Sequence, residues 1–137
     1  MSARQLAVAA VCLAACGSGR DTVPDALDTG SANQQVMLAI GESRQLPGGL
    51  TLSLKTVSGD SRCPQDVTCV WAGSVAAGLE LAGPAGDTSF TLNSGIAPRD
   101  ATFGGWRVSL ARVAPTRTSG QPIPPSAYRV TLELHRQ

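Results

Sequence analysis

The 137-residue chain has few of the side chains on which enzymes and nucleic-acid binders depend. It contains one histidine, one lysine (Lys55) and five aromatic residues (two Phe, one Tyr and two Trp), and only 15% of its residues are charged. Basic residues are scattered, so no basic stripe or block is available to neutralise phosphates. We therefore expect no nucleic-acid partner.

Catalytic signatures are missing as well. The sequence has no H-E-x-x-H or G-x-S-x-G motif and no phosphate-binding loop. His135 falls on the polar side of the last alternating segment, where we expect it to be solvated. Glu42, Asp60, Glu80 and Glu133 could supply a pair of carboxylates, but their spacing brings no two of them together. We predict that the protein is not an enzyme and binds no cofactor and no metal, with an envelope enzyme of unknown type as a remote alternative.

Helical periodicity of useful length is also absent, and period-two alternation of apolar and polar residues dominates from residue 36 onward. Alternation is clearest over residues 50–55, 74–81, 106–111 and 128–135. Shorter candidate strands cover residues 36–40 (continuing through 45), 68–71 and 88–92. Val57 falls out of phase with Leu54, which predicts a bulge near Thr56.

Glycine and proline separate these segments. Turns are expected at 47–49 and 83–87, and longer loops at 93–105 and 115–125. About seven short strands in residues 36–137 predict one all-β domain, a small antiparallel β-sandwich, with a small β-barrel as the alternative. Trp106 alternates with polar neighbours and is expected in the core.

The one long apolar run covers Leu6 to Ala15, which is too short to cross a bilayer. It follows a single basic residue, Arg4, and is typical of an export signal over residues 1–15. The segment Leu13-Ala14-Ala15-Cys16 resembles the bacterial lipobox at all four positions. This resemblance implies that Cys16 receives a lipid and that the chain is cleaved before it. An ordinary secretory signal with a chance cysteine is the alternative.

Lipidation would make the mature protein an envelope lipoprotein held on its membrane. Removal of residues 1–15 deletes Arg4 and leaves ten basic and ten acidic residues, so the mature net charge is near zero. Residues 16–35 are polar and lack periodicity, which predicts a lipidated cysteine followed by a flexible tether. Gly17, rather than aspartate, follows Cys16, so in a two-membrane bacterium we expect the outer membrane, facing the periplasm.

The densest chemical cluster is the stretch "DSRCPQDVTCVWAG" at residues 60–73. Its C-x5-C spacing is wrong for zinc, which needs four ligands, and wrong for a dithiol redox motif. In an oxidising compartment two cysteines at this separation pair with each other. We therefore predict a Cys63–Cys69 disulfide, and no free thiol remains after Cys12 is removed with the signal and Cys16 is lipidated.

Side chains beside the cysteines allow two interpretations each. Trp71 is either an exposed stacking platform for sugar or peptide, or a ring buried against the disulfide, and the scarcity of aromatic residues favours burial. Asp60, Arg62 and Asp66 either bind a ligand or pair locally or cap backbone amides, and a tight loop favours local pairing and capping. Phe103 and Arg62 lie where no strand pattern buries them.

The stretches "GESRQLPGGLTLSL", "DSRCPQDVTCVWAG" and "YRVTLEL" together resemble a group of small exported bacterial proteins that share the cysteine loop and have no assigned activity. The resemblance implies a common β-rich fold and supports the disulfide, but it supplies no catalytic residue. We expect a binding or assembly module with an envelope protein partner, or alternatively a loop-presenting protease inhibitor. The candidate contact residues are Arg62, Trp71 and Phe103.

Overall fold

Alternating side chains pair into two antiparallel sheets of four strands that face each other and do not close into a barrel. The computed structural model describes residues 33–137. Its strands are β1 (Asn33–Leu38), β2 (Ser43–Leu46), β3 (Leu50–Ser58), β4 (Ala76–Gly83), β5 (Gly86–Asn93), β6 (Asp100–Phe103), β7 (Trp106–Ala114) and β8 (Arg129–Arg136). The strand order is β1-β8-β7-β6 in one sheet and β2-β3-β4-β5 in the other. The predicted β-sandwich is confirmed, with eight strands.

The core lies between the sheets and is built from every second residue of the central strands. Leu52 and Leu54 of β3 are fully buried, as are Val130 and Leu132 of β8 on the opposite sheet. Each such side chain contributes about 1.5–3 kcal/mol through removal from water. Trp106 is only 3% exposed, which confirms its predicted place in the core. Residues 33–137 include no helix long and apolar enough to span a bilayer.

The predicted bulge in β3 is present. The register between β3 and β4 shifts between Leu54 and Thr56, so the out-of-phase Val57 packs against the core again. Gly78 of β4 pairs with Thr56, and a β-carbon at Gly78 would collide with the Thr56 hydroxyl. A second register shift, between Leu110 and Arg112 of β7, was not predicted.

Two predicted segments differ from the structure. Residues 68–71 are not a strand, because the residues flanking the disulfide have no sheet neighbour and Val70 and Trp71 have no packing face. Residues 36–45 form two strands in different sheets, separated by a turn in which the Glu42 carboxylate accepts the Ala39 amide at 2.8 Å. β1 begins at Asn33, inside the predicted tether.

Phe103 was expected on an exposed loop, and this expectation is wrong. It lies in β6, opposite Trp106 of β7, within the segment predicted to be a loop. Its ring packs against the core and its centroid lies 4.7 Å from that of Phe90. β6 has only four residues, too few for alternation to reveal it, so the sequence did not predict that Phe103 packs against the core.

The sandwich has two different ends. At the hairpin end, β2–β3, β4–β5 and β6–β7 are joined by tight turns, and Leu50, Pro84 and Gly104 line one hollow there. At the loop end lie the long connections 59–75, 94–99 and 115–128. Asn33 pairs with His135, and the next residue, Arg136, pairs with Trp106. Trp106 directly follows the β6–β7 turn, so the described chain begins at the hairpin end. The predicted signal peptide, Cys16 and the tether up to residue 32 lie outside the described residues.

Truncation of Trp106 and of Phe103 should show the difference in stability between a fully buried ring and a partly buried one. We expect Trp106→Ala to lower the free energy of unfolding by about 3–5 kcal/mol, the range for a buried aromatic truncation. Phe103→Ala should cause a smaller but clear loss because its ring is partly exposed. Chemical denaturation measures both, with Val70→Ala, at a fully exposed position, as the near-neutral control. A Phe103→Ala variant as stable as the wild type would place that ring outside the core.

Candidate functional site

The cysteine loop (residues 59–75) is stapled at its centre. Cys63 and Cys69 form a disulfide with a Cα–Cα distance of 5.9 Å, as predicted. The two arms of the loop also bond to each other. The Ser61 amide donates to the Ser74 carbonyl at 2.8 Å, and the Cys63 amide donates to the Ala72 carbonyl at 2.9 Å. The loop therefore has a fixed shape although it contains no regular strand.

An ion pair attaches this loop to the other sheet. Arg62 donates from Nε and Nη2 to the two carboxylate oxygens of Asp60 at 2.8 and 2.7 Å, and the Tyr128 hydroxyl donates to Asp60 at 2.9 Å. The guanidinium also donates to the carbonyls of Val113 and Pro115 at 2.6 and 3.0 Å. The side chains of Arg62 and Asp60 are 15% and 10% exposed. Bidentate pairing of this kind gives fixed geometry as well as energy.

A second set of bonds holds the cysteine loop to the loop that follows β7. Arg117 donates to the Arg62 carbonyl at 2.6 Å, and the Gln65 amide donates to the Arg117 carbonyl at 2.9 Å. The Asp66 carboxylate accepts the Ser119 amide at 2.8 Å. Asp60 and Arg62 therefore pair locally and Asp66 accepts a backbone amide, as the sequence favoured. The Arg62 guanidinium bonds the loops to one another. Its bonding is therefore explained without contact to another molecule.

Titration of the pair follows from this geometry. Burial raises the pKa of Asp60, but hydrogen bonds from Arg62 and Tyr128 outweigh burial and hold the pKa below its usual value. The hydrogen bond to Asp60 raises the pKa of Arg62 against the opposing effect of burial. Burial and the hydrogen bond to Asp60 both raise the pKa of Tyr128. Asp60 and Arg62 are therefore both charged, and Tyr128 is neutral, at physiological pH.

Apolar side chains project from the cysteine loop and from the loop between β5 and β6. Val70 is 91% exposed and Trp71 is 82% exposed, so the interpretation of Trp71 as a ring buried on the disulfide is wrong. Ile96, in the loop between β5 and β6, is 61% exposed. Trp71 and Ile96 share one surface, and exposed large apolar side chains grouped in this way are typical of interaction sites.

Trp71 and Ile96 line a common hollow of about 330 Å³, which we call the Trp71 hollow. Its lining comprises Ser61, Trp71, Ala72, Gly73, Ser74, Gly95 and Ile96. Backbone forms the floor, because β-carbons at Gly73 and Gly95 would collide with the carbonyls of Ser61 and Gly73 respectively. Gly73 also has a φ of 69°, which favours glycine. Three loop segments can meet this closely only without side chains.

The serine hydroxyls of the Trp71 hollow are already bonded to its own backbone. Ser61 Oγ donates to the Ser74 carbonyl at 3.0 Å and accepts the Ser74 amide at 3.1 Å. Ser74 Oγ accepts the Gly95 amide at 3.0 Å. The remaining character of the hollow is that of the indole ring and the isoleucine side chain.

His135 lies far from this surface, at the hairpin end. Its Nδ1 is 2.7 Å from the Asn33 side-chain oxygen, and its Nε2 is 4.0 Å from the Glu133 carboxylate. The imidazole is partly exposed, as predicted for a solvated residue. Within residues 33–137 no group of three or more His, Cys, Asp or Glu side chains is placed to hold a metal ion.

The sequence identified Trp71 but not its partner Ile96. Ile96 lies in an irregular loop, 25 residues from Trp71, and no periodicity relates the two positions. Gly95 beside it carried the only signal, since an isolated glycine often marks close backbone approach. No protein-family model, curated protein or solved structure matches the chain.

Acid should weaken the Asp60–Arg62 ion pair. Because the folded-state pKa of Asp60 is depressed, its stabilising contribution is complete above the unfolded-state value of about 4 and is lost as pH falls through the folded-state pKa. We expect Asp60→Asn to lower the free energy of unfolding at pH 7 by about 1.5–3 kcal/mol. The same variant should lose less stability than the wild type between pH 5 and pH 2, as measured by denaturation across that range.

Asp100→Asn is the matched control, since Asp100 pairs with Arg107 at 2.8 Å in an exposed ion pair. Exposed pairs contribute little, about 0–1 kcal/mol. An Asp60→Asn variant with the same stability and acid response as Asp100→Asn would contradict the anchoring role of the ion pair.

Proposed function

We propose that the protein is a membrane-anchored envelope lipoprotein that acts as a non-catalytic binding module. Its contact surface is the loop end of the sandwich, centred on Trp71. The observation that carries the proposal is the exposure of Val70 and Trp71 on a loop held by a disulfide, an ion pair and a network of backbone bonds.

Exposing Val70 and Trp71 forgoes the free energy that their burial would contribute. A protein without a partner gains nothing from that exposure. A buried tryptophan would add to the small core, whereas here only Trp106 of the two does so. Tryptophan is the residue most enriched among energetic hot spots of interfaces. A preorganised loop also loses little conformational entropy when it binds. Both properties favour recognition of another molecule.

The position of residue 33 supports the anchored arrangement. A tether reaching the domain from a lipid on Cys16 joins it at the hairpin end, opposite Trp71. Attachment at the hairpin end would leave the loop end free of the tether, so an envelope protein in the same compartment could reach it.

A loop-presenting protease inhibitor is the alternative function. Its inserting element would be the cysteine loop or the loop at 115–125, and the latter bonds through Arg117 and Ser119 to the cysteine loop. The cysteine loop, which exposes Val67 and Val70, is the element left to enter a protease cleft. Slow cleavage after residues 66–71 with tight inhibition of that protease would favour this alternative over a binding module.

Photo-crosslinking in the native envelope tests the contact surface. We expect benzoylphenylalanine in place of Val70 to form a discrete adduct with one partner protein, because this position projects fully from the loop. The adduct should disappear when Trp71→Ser is added. The measurement is the mobility shift of the tagged protein after irradiation, with the partner identified by mass spectrometry.

Ala85 is the matched position for this experiment, since it is also exposed but lies in the β4–β5 turn at the hairpin end. It should give no such adduct. The same adduct from Ala85, or an adduct from Val70 that persists in the Trp71→Ser background, would contradict a Trp71-centred surface.

The anchor itself is tested at Cys16. Cys16→Ser removes the thiol that would receive the lipid, so we expect an unlipidated protein that partitions into the aqueous phase of a detergent extraction. Intact-mass analysis of the wild type should show a lipid-modified Cys16 as the first residue. A wild-type N-terminus without lipid would remove the lipoprotein assignment.

A further inference from the structure

We infer that the Trp71 hollow takes a single large apolar side chain, aliphatic or aromatic, from an exposed peptide segment of the partner protein. This inference names the ligand class for the surface that the proposed function assigns, and it depends on that function. The indole of Trp71 and the side chain of Ile96 form the two walls, and the backbone around Gly73 and Gly95 forms the floor.

The hollow is wide enough to admit a large side chain. Its volume of about 330 Å³ exceeds that of one leucine or phenylalanine side chain, which can enter with its backbone outside. Each methylene removed from water contributes about 0.8 kcal/mol. An aromatic or aliphatic side chain packed on the indole therefore gains enough to anchor a short segment.

Sugar recognition is disfavoured by the hydrogen bonds of the lining. A glycan stacked on Trp71 would need polar side chains beside the ring to bond its hydroxyls. Of the two hydroxyls in the lining, that of Ser61 donates to and accepts from the Ser74 backbone, so only the hydroxyl of Ser74, which accepts the Gly95 amide, keeps its donor for a ligand. The lining has no carboxylate and no side-chain amide.

Lipid recognition is disfavoured by charge. The lining contains no Arg or Lys to hold a phosphate head group. The segments that present Val70, Trp71 and Ile96, residues 67–75 and 93–98, contain no charged residue of either sign. An uncharged surface of this kind complements an apolar side chain on an uncharged segment.

A second copy of the chain is the competing occupant of the hollow. The two apolar walls, Trp71 and Ile96, form a local depression. A short segment with one projecting side chain can occupy it without further contact between the two proteins. The Trp71 signal measured at several protein concentrations without any probe separates self-association from segment binding.

Nuclear magnetic resonance of the indole groups tests this inference directly. The chain has two tryptophans, and Trp106 is buried, so its indole N–H signal is an internal control. The protein is the chain from residue 16 onward with Cys16→Ser, labelled with ¹⁵N. The peptide probes are Ac-Ser-Leu-Ser-NH₂ and Ac-Ser-Phe-Ser-NH₂, with Ac-Ser-Ala-Ser-NH₂ as the small-side-chain control. Chitotetraose and phosphatidylglycerol–phosphatidylethanolamine vesicles are the sugar and lipid probes.

We expect the leucine and phenylalanine peptides to shift the Trp71 indole signal saturably, to leave Trp106 unmoved, and to bind at least about tenfold more tightly than the alanine peptide. Ile96→Ser should weaken that binding about tenfold while the folded spectrum is retained. Met37→Ser, at another exposed apolar position on β1, should leave it unchanged.

Four results would overturn the inference: equal binding of the leucine and alanine peptides, tighter binding of chitotetraose, broadening by vesicles alone, or a concentration-dependent Trp71 shift without any probe. The sugar result would leave the binding module in place with a different ligand class. Loss of the Val70 adduct in the envelope would instead remove the module itself, so the two proposals fail on separate observations.

Discussion

The bidentate pair of Asp60 and Arg62, completed by the Tyr128 hydroxyl, is the contact on which the organisation of the loop end depends. Asp60 and Arg62 follow β3 in one sheet, whereas Tyr128 precedes β8 in the other. Hydrogen bonds of Arg62 to the carbonyls at the end of β7 add a third attachment. One partly desolvated ion pair thus joins three connections of the loop end, which contact the core through Val75, Tyr128 and Ile123.

Two kinds of interaction stabilise different parts of this small domain. The strands bury leucine and valine from both sheets, which stabilises the fold without direction, while the loop end relies on directional bonds. The disulfide restricts only a short ring, and the ion pair fixes how that ring lies on the sandwich. Exposed apolar side chains are tolerated there because the loop does not depend on them for its shape.

Sequence patterns predicted the parts of the structure that local periodicity controls. Alternation located the long strands, the phase change at Val57 located a bulge, and the cysteine spacing located the disulfide. The same patterns did not predict the short or irregular segments. Four residues of β6 were too few to show a period, so Phe103 was misplaced. The pairing of Trp71 with Ile96 depends on three loops converging, which no local pattern encodes.

The backbone floor of the Trp71 hollow determines which substitutions this surface tolerates. Ser61, Gly73 and Gly95 approach through their backbones, so the frame of the Trp71 hollow resists substitution while its walls project freely. Replacement of Trp71, Val70 or Ile96 would change the exposed surface with little effect on the fold. The residues that fix the backbone of this surface are thus separate from the side chains that it exposes, as in antibody loops on their own β-sandwich.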